Sequence, residues 1–381
     1  MDLIVDGLIY TLQKRGGISR IYNEILPRMC ELDANLEVFL LVSGRLKQPL
    51  PSHRRIHPCI LPRIERSLRS GSIPDPLRPA ATWAASAIRR WYFPRERVAP
   101  APGAVWHSTY YSPAQGWRGA SVVWVHDMIH ERFPELFAGT IHDEFRRGKR
   151  ECVLAADAVM AVSSSTRGDL ESFYGIAPGR VEVVPPASSR AFRRMDDPPS
   201  GLELPTRKPF LLLVGPRHPH KNIELFLRAY ERWPRATDVD VIFVSRPWKR
   251  REKEQLLSPS LRDRVHLVGN VGDEGLCWLY NKAAAFVHPS LYEGFGIPLL
   301  EAMACGCPVV ASRIPSTVEV AADSPYYFDP ASAESLVKAL DHLFTDDRRS
   351  ERVRDGVTIA GSYSWERTAA RFLQIIARLS S

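Results

Sequence analysis

Short, continuous apolar runs recur along this chain, and they constrain its fold more than any other feature. In the first half the runs are Leu3–Val5, Val38–Val42, Val122–Val125, Ala158–Val162 and Val181–Val184. A second series follows at Phe210–Val214, Val239–Val244, Val265–Val268, Ala284–Val287 and Pro308–Ala311. Most neighbouring runs are separated by a segment long enough for a helix. Because a strand that is apolar on both faces needs cover on both faces, the pattern predicts two parallel α/β sheets.

A proline-rich segment separates the two series. Residues Arg193–Pro209 contain four prolines, several charged side chains and few large apolar ones, which is typical of a linker. We therefore expect two doubly wound α/β domains. In such folds ligands bind outside the carboxyl ends of the strands, so the site is expected in the cleft between the domains.

The composition excludes several classes of protein. The 381 residues are 45% apolar and 25% charged, which is ordinary for a globular chain. No apolar run reaches the roughly 18 residues that a membrane span needs. Residues 1–10 lack the basic start of a secretory signal. The six cysteines include no Cys-x-x-Cys pair, so we expect reduced, buried thiols in a cytoplasmic protein.

Most of the net charge of +8 is concentrated in one segment. Residues 54–97 hold ten arginines and three acidic residues, a net charge of +7, interleaved with aromatic side chains such as Trp83 and Trp91. Arginines mixed with aromatic residues suit the surface of an anionic membrane. The alternative is a solvated excursion between two core elements, and both interpretations stay open. No nucleic-acid-binding motif accompanies the segment, so we expect no nucleic acid as a partner.

Two loops carry candidate phosphate-binding groups. Gly16 and Gly17 follow the first strand and open a helix, where free N–H groups attract a phosphate; the alternative is a plain turn. The loop after Phe210–Val214 carries Arg217 and Lys221 beside a second helix start. Two fixed cations are what a diphosphate leaving group needs as its negative charge grows. We expect both cations to face the cleft, the alternative being two solvated side chains.

Two carboxylates flank a glycine loop in the second half. Glu293 precedes Gly294 and Gly296, whose small size lets backbone N–H groups approach a ligand, and Glu301 lies within the following helix. Glu301 is one turn beyond Ile297, so it can face the cleft and accept hydrogen bonds from a diol. One carboxylate for a sugar and one for a ribose would form a coherent site. The alternative is a capping Glu293 and a surface Glu301.

Asp238 and Asp240 have the form of a metal-binding Asp-x-Asp pair. They precede the strand Val241–Val244, so they are expected at its amino end, away from the cleft. We predict no metal site there and no metal cofactor for the protein.

The stretch HPSLYEGFGIPLLEAMACGCPVVAS, from His288 to Ser312, resembles glycosyltransferase family four. Within it, Glu293 to Glu301 matches the EX7E pattern of retaining members. The loop Gly215–Lys221 is one residue shorter than in some members, which offsets the position of Arg217. Further segments similar to the family's landmarks are Trp106–Ser108, Val125–Asp127, Val162–Ser163, Gly215–Asn222 and Phe328–Pro330.

The resemblance implies a GT-B fold, an α/β architecture of two Rossmann-like domains facing a cleft. It implies an acceptor domain over residues 1–200, a nucleotide-sugar domain over residues 201–361, and a helix over residues 362–381 that crosses back. By position, Glu293 and His126 would contact the transferred sugar, Glu301 the ribose, and Arg217 and Lys221 the diphosphate. The other donor-binding positions that it implies are Gly16, Gly17, Gly294, Phe295, Gly296 and Ile297.

We therefore expect a retaining, metal-independent glycosyltransferase that moves a hexose from a nucleotide sugar to a hydroxyl of a saccharide or lipid-linked saccharide. Because we find no second convincing carboxylate to act as nucleophile, front-face attack is the favoured mechanism. The stretch VHDMIHERFPELF resembles mannosyl- and rhamnosyl-transferring branches that build bacterial surface polysaccharides, lipopolysaccharide among them, which favours GDP-mannose.

Several alternatives stay open. UDP-glucose or UDP-N-acetylglucosamine can replace GDP-mannose within the same family. A phosphorylase or epimerase can share the fold, and a non-catalytic protein can use the basic segment to bind a membrane or nucleic acid. The expected location is the cytoplasm, and peripheral attachment to the inner face of the plasma membrane through residues 54–97 is the membrane alternative.

Overall fold

The computed structural model describes residues 1–14, 16–61, 102–112, 117–199, 201, 203–269 and 271–380. The basic segment is thus described only as far as Leu61, and its predicted membrane contact lies outside the described residues. Within these ranges, no helix combines the length and the apolar character needed to cross a bilayer.

A parallel sheet organises the first half of the chain. Its described strands number seven, in the order β3-β2-β1-β4-β5-β6-β7. They are β1 Asp2–Asp6, β2 Glu37–Ser43, β3 Ile56–Leu61, β4 Val105–Ser108, β5 Ser121–Val125, β6 Ala158–Ala161 and β7 Val181–Val183. The helices of this half, over the residues that the structure describes, are α1 Ile9–Leu12, α2 Gly17–Leu32, α3 Ile129–Arg132, α4 Thr140–Ala155 and α5 Ser164–Tyr174. The strand order reverses between β1 and β4, which opens a crevice there for a ligand.

The second half repeats this design. Over the part of it that the structure describes, six parallel strands lie in the order β10-β9-β8-β11-β12-β13. They are β8 Phe210–Val214, β9 Asp240–Val244, β10 Val265–Val268, β11 Ala285–His288, β12 Val309–Ser312 and β13 Tyr326–Phe328. The helices are α6 Ile223–Arg232, α7 Arg250–Leu256, α8 Asp273–Lys282, α9 Ile297–Ala304, α10 Pro315–Ala321, α11 Ala333–Thr345 and α12 Arg349–Ser362. The switch point here lies between β8 and β11.

The last helix, α13 Trp365–Ser380, packs against the first half, along α2. Its apolar face is buried, and the Phe372 ring lies 4.9 Å from the His107 ring and 5.9 Å from the Trp124 ring. Thr368 also donates a 2.7 Å hydrogen bond to the carbonyl oxygen of Pro185. Two doubly wound domains with a returning helix confirm the predicted fold class.

The start of the basic segment corrects one expectation. The chain from Arg54 is predicted above as an excursion or a membrane surface, but Ile56–Leu61 forms the edge strand β3 and pairs in parallel with β2. The search for apolar runs did not predict this strand, because its sequence, IHPCIL, places a histidine and a proline among the apolar residues. Proline is tolerated at this position because an edge strand leaves some N–H groups unpaired in the sheet.

Candidate active site

A partly buried ion pair lies at the switch point of the second sheet. Lys221, in a short 3-10 helix after β8, places its Nζ 2.5 Å from Oε1 of Glu293. His288, the last residue of β11, brings its Nε2 to 3.2 Å from the same oxygen, and Ser290 donates to it at 2.6 Å. Burial by itself raises the pKa of Glu293, but the Lys221 ammonium and the His288 ring outweigh it and hold the pKa well below its usual range.

The geometry leaves part of this cluster available to a ligand. The contacts of Glu293 with Lys221, His288 and Ser290 all go to Oε1, so its second carboxylate oxygen can accept from a hydroxyl. An ammonium has three donors, and Glu293 takes one of those of Lys221. A pocket borders the cluster, lined by Gly215 and Pro216 on one side and by His288, Pro289 and Ser290 on the other.

The glycine loop after Glu293 is docked on the first domain. A Cβ atom on Gly294 would overlap the carbonyl oxygen of His126 and lie 2.8 Å from its carbonyl carbon. Ser163 and Thr166, at the start of α5, donate hydrogen bonds of 2.5 and 3.0 Å to the carbonyl oxygen of Gly294. Only a glycine allows this approach, which brings the cluster of the second domain beside His126 of the first.

Tyr292 of this loop and Glu319 of α10 add further contacts between the second domain and the first. The Tyr292 hydroxyl donates to Asp169 at 2.7 Å and accepts from the N–H of Met128 at 3.0 Å. The Glu319 carboxylate accepts from the backbone N–H groups of Ser164 and Ser165, at 2.7 and 2.9 Å. A carboxylate at a helix start is favourable because the free N–H groups there carry partial positive charge.

His126 is buried at the carboxyl end of β5. Its ring lies 5.7 Å from the Trp124 ring, and its backbone N–H donates to the Tyr111 hydroxyl. Burial lowers the pKa of His126 to about 4, so the ring is neutral at pH 7. A neutral imidazole therefore adds no second positive charge beside the cluster that contains Lys221.

A hydrogen-bonded chain behind His126 was not predicted. The Tyr22 hydroxyl lies 3.4 Å from Nε2 of His126 and 3.0 Å from Nε2 of His107, and Nδ1 of His107 lies 3.0 Å from the Val122 carbonyl oxygen. His107 stands in the Trp106–Ser108 landmark, and Tyr22 follows the glycines of α2 on its buried face. Nothing in the sequence linked either residue to His126.

Gly16 and Gly17 open α2 as predicted, and their helix start meets the second domain. Gly16 precedes the first residue of α2 with an extended backbone. A Cβ atom on Gly17 would lie 3.9 Å from the Ile297 side chain, the first residue of α9. Gly296, at φ +107°, precedes α9. The residue before it, Phe295, is buried. The start of α2 and the start of α9 therefore meet across the cleft.

Glu301 is buried rather than on the surface. It lies in α9, and its Oε1 accepts from Nη1 of Arg20 in α2 at 2.8 Å. The second nitrogen of Arg20 bonds to Asp273, the first residue of α8. Burial raises the pKa of Glu301 to about 7, against the effect of the Arg20 guanidinium. An arginine of the first domain therefore reaches the predicted ribose carboxylate.

Arg217 requires a correction. Its side chain is only 1% exposed, with Nε donating to Glu252 at 3.0 Å and Nη1 to the Arg246 carbonyl oxygen at 2.9 Å. Its guanidinium also stacks 3.8 Å from the centre of the Trp248 ring. Because these partners satisfy the group and bury it, Arg217 does not sit beside Lys221 as a free cleft cation. One sequence feature agrees with this placement: the loop Gly215–Lys221 is one residue shorter than in some family members, so Arg217 does not align with the family's arginine position.

The Asp-x-Asp pair lies at the amino end of β9, where Asp240 begins the strand. Its carboxylate accepts from Thr206 at 2.6 Å and lies 3.0 Å from Nε2 of His266. These contacts give Asp240 a structural role within the second domain. In the part of the chain that the structure describes, His, Cys, Asp and Glu form no group of three suited to a metal.

Family comparisons divide the chain in the same place as the two sheets. Residues 15–188 match the family model described as Glycosyltransferase Family 4. Residues 196–357 match the one described as Glycosyl transferases group 1. Together the two matches cover every described strand except β1, and they include the site residues Gly16, Gly17, His126, Lys221, Glu293 and Glu301.

Individual relatives agree with the family. Over 162 residues the chain is 36% identical to O-antigen chain mannosyltransferase B of Escherichia coli, covering 41% of this chain and 42% of that one. Over 219 residues it is 26% identical to the O-antigen chain mannosyltransferase RfbU of Salmonella typhimurium, covering 58% and 59%. The chain thus matches less than two thirds of the length of each of these relatives.

The fold is shared with a solved structure over the whole chain. Sucrose-phosphate synthase from Thermosynechococcus elongatus superposes with a TM-score of 0.79 at 20% identity, covering 100% of this chain and 99% of that one. The fold, the two family matches and the EX7E site agree with one another. The chain belongs to glycosyltransferase family four.

Proposed function

We propose that this protein is a retaining glycosyltransferase that moves a hexose from a nucleoside-diphosphate sugar to a hydroxyl of a saccharide or lipid-linked saccharide. One observation carries the proposal. The Lys221–Glu293 ion pair lies at the switch point of the second sheet, and the Gly294 contact sets that cluster beside His126 of the first domain. A cation, a carboxylate and a neutral imidazole thus converge from two domains on one crevice.

Each group has a distinct role in the proposal. Glu293 is held as an anion and accepts a hydroxyl of the transferred sugar on its second oxygen. Lys221 donates to the diphosphate while it keeps its bond to Glu293. The N–H groups of Gly296 and Ile297, at the start of α9, add backbone donors for the same phosphates. His126 borders the sugar from the opposite domain.

The proposed reaction is front-face displacement. The bond between the anomeric carbon and the diphosphate oxygen breaks as an oxocarbenium-like centre forms. The acceptor oxygen then attacks the same face and gives its proton to an oxygen of the departing diphosphate. Glu293 is occupied by Lys221, His288 and Ser290, an arrangement that suits a hydroxyl-binding carboxylate better than a nucleophile. Charge stabilisation by Lys221 and α9 supports a metal-independent reaction.

GDP-mannose is the donor that we propose first. The support is that both relatives above carry names of O-antigen chain mannosyltransferases. Their names also favour an acceptor in the assembly of a bacterial surface polysaccharide. UDP-glucose and UDP-N-acetylglucosamine are the competing donors within the same proposal.

The first test is ligand-dependent stability of the full chain. Its melting temperature is measured with GDP, UDP, dTDP and ADP, each with and without EDTA. A ligand at 100 times its Kd adds about 2.7 kcal/mol, which is a shift of several degrees. We expect a shift with GDP that EDTA does not change. A shift of the melting temperature with UDP would make a UDP-sugar the proposed donor. A shift that EDTA abolishes would contradict metal independence.

The second test is turnover. The protein is incubated with GDP-mannose, UDP-glucose or UDP-N-acetylglucosamine and octyl α-mannoside, and NMR of the product reports the anomeric configuration. Glu293→Gln is the matched inactive variant, because it keeps the size of the side chain and removes the charge paired with Lys221. We expect an α-linked product from the native chain and at least a hundredfold loss in the variant. Undiminished turnover by the variant would contradict the assignment of Glu293.

A further inference from the structure

Arg20 connects the first domain to the predicted ribose-binding carboxylate of the second. It lies in the first turn of α2, just after Gly16 and Gly17, and its Nη1 donates to Oε1 of Glu301 at 2.8 Å. Its Nη2 bonds to Asp273, and its guanidinium lies 5.5 Å from the centre of the Phe192 ring. The arginine side chain is one quarter exposed, whereas that of Glu301 is 6% exposed.

Apart from Arg20, the surroundings of Glu301 do little to stabilise a negative charge on its carboxylate. Tyr280 donates to its Oε2 at a long 3.4 Å. Burial, together with the nearby Asp273 carboxylate, raises the pKa of Glu301 to about 7, while the Arg20 guanidinium acts in the opposite direction. The ionisable groups that face Glu301 are Arg20 from α2, Asp273, Cys277 and Tyr280 from α8, and Cys305 at the end of α9.

The protonation state of Glu301 matters for a ribose. A carboxylate accepts hydrogen bonds on both oxygens, whereas a protonated carboxyl uses one of them to carry its proton. Arg20 fixes Oε1 and leaves Oε2, whose bond from Tyr280 is long, for a ribose hydroxyl. The cation that supports this state belongs to the opposite domain, so the ion pair exists only while the two domains are docked.

We propose that Arg20 is a positioning residue of the nucleotide site, holding Glu301 as an oriented anion and thereby linking the affinity for a nucleoside diphosphate to the docking of the two domains. The inference rests on the proposed function, because it takes Glu301 as the ribose-binding group. Arg20 acts through Glu301 and makes no contact with the sugar that is transferred.

The test measures the Kd of GDP and of UDP by calorimetry from pH 6 to pH 8.5, on the full-length chain and on variants. Affinity for the preferred nucleotide should rise with pH as Glu301 ionises, with a midpoint near 7. Arg20→Gln should weaken binding at pH 7 at least tenfold and move the midpoint to higher pH. Asp273→Asn should move the midpoint to lower pH, because it removes a neighbouring negative charge.

Two more variants separate positioning from folding. Arg28→Gln alters another arginine of α2, which bonds at 3.0 Å to Glu366 of the returning helix α13 and not to the second domain, and should change the Kd less than twofold. Arg20→Lys keeps the positive charge, so it should keep the midpoint close to that of the native chain. In turnover, Arg20→Gln should raise the KM for the nucleotide sugar more than it lowers kcat.

The outcomes are distinct. If the native chain binds neither nucleotide, the proposed function fails and the role of Arg20 fails with it. If the native chain binds and Arg20→Gln binds equally well, or with the same pH midpoint, only the role of Arg20 is overturned. Equal losses in Arg20→Gln and Arg28→Gln would show a general effect of α2 and would also overturn it.

Discussion

The backbone of Gly294 in the second domain lies against the carbonyl group of His126 in the first, closer than any side chain would permit. Ser163 and Thr166 hold the Gly294 carbonyl oxygen from the other side. Glu293 precedes this glycine, so the contact sets the distance between the carboxylate of one domain and the imidazole of the other. The glycine of the EX7E loop therefore acts as the docking point of the two domains.

Gly294→Ala should separate the two domains locally without unfolding either one. Its Cβ would overlap the His126 carbonyl, which is rigid backbone and cannot turn aside. We expect kcat/KM to fall at least a hundredfold, because small misplacements of reacting groups are costly. Steady-state kinetics and small-angle scattering check the loss and the change in domain spacing.

Gly168→Ala is the matched control. Gly168 is an exposed residue of α5, and a Cβ there meets no atom within 4 Å. It should raise stability by roughly 0.5–1 kcal/mol through helix propensity and leave kinetics unchanged. Native activity in Gly294→Ala would contradict a docking role for that glycine.

Arg217→Gln should cost stability rather than activity. The substitution removes the ion pair between the buried Arg217 and the partly buried Glu252, and the stacking on Trp248. We expect a loss of about 3 kcal/mol in the free energy of unfolding, with kcat within threefold of the native value at a temperature where the variant is folded. Urea denaturation and kinetics at 15 °C measure the two quantities separately.

Lys221→Gln should show the opposite pattern, because Lys221 is the cation bonded to Glu293. Its loss removes the charge that the proposed reaction places against the diphosphate, and we expect kcat to fall by a factor of about 100 to 1,000. A large kinetic effect of Arg217→Gln with none from Lys221→Gln would reverse the assignment of these two residues.

Tyr22→Phe should lower kcat while nucleotide affinity is kept. The hydroxyl bridges His107 and His126, so its removal frees the His126 ring to adopt other orientations. We expect at least a tenfold fall in kcat with a Kd for GDP or UDP within twofold of native, measured by kinetics and calorimetry. Tyr10→Phe is the control, since the Tyr10 hydroxyl is buried with no hydrogen-bond partner among the described residues. Equal kcat values for the two variants would argue against the bridge.

Glu301→Gln should change stability in a pH-dependent way. The folded pKa of about 7 lies above the ordinary value of 4.5, so folding favours the protonated carboxyl. The stability that this contributes is complete below about pH 4.5 and is lost as pH rises through 7. The glutamine variant cannot ionise, so its free energy of unfolding should improve relative to the native chain between pH 5 and pH 8. Urea denaturation at pH 5, 6.5 and 8 checks this. If the difference in free energy of unfolding between the variant and the native chain did not change with pH, the pKa of Glu301 would not be raised by folding.

Much of the architecture followed from local pattern alone. Strand-length apolar runs such as Phe210–Val214 became buried parallel strands, because a run with no polar side needs cover on both faces. The strand β3 was not predicted in this way, because a histidine and a proline interrupt its apolar run at the edge of the sheet. The chemistry of the site was equally visible where it depended on residue type and spacing, as for Glu293, Gly294 and Lys221.

Tertiary structure decided which of the candidate groups are available to a ligand. Arg217 and Lys221 look alike in sequence, but Trp248 and Glu252 lie where they bury Arg217, and Glu293 lies where it orients Lys221. Arg20 reaches Glu301 across 281 positions of sequence. Local sequence determines the backbone conformation and which functional groups the chain contains. Which charges meet depends on side-chain directions set by packing between distant segments, and only the folded chain contains that information.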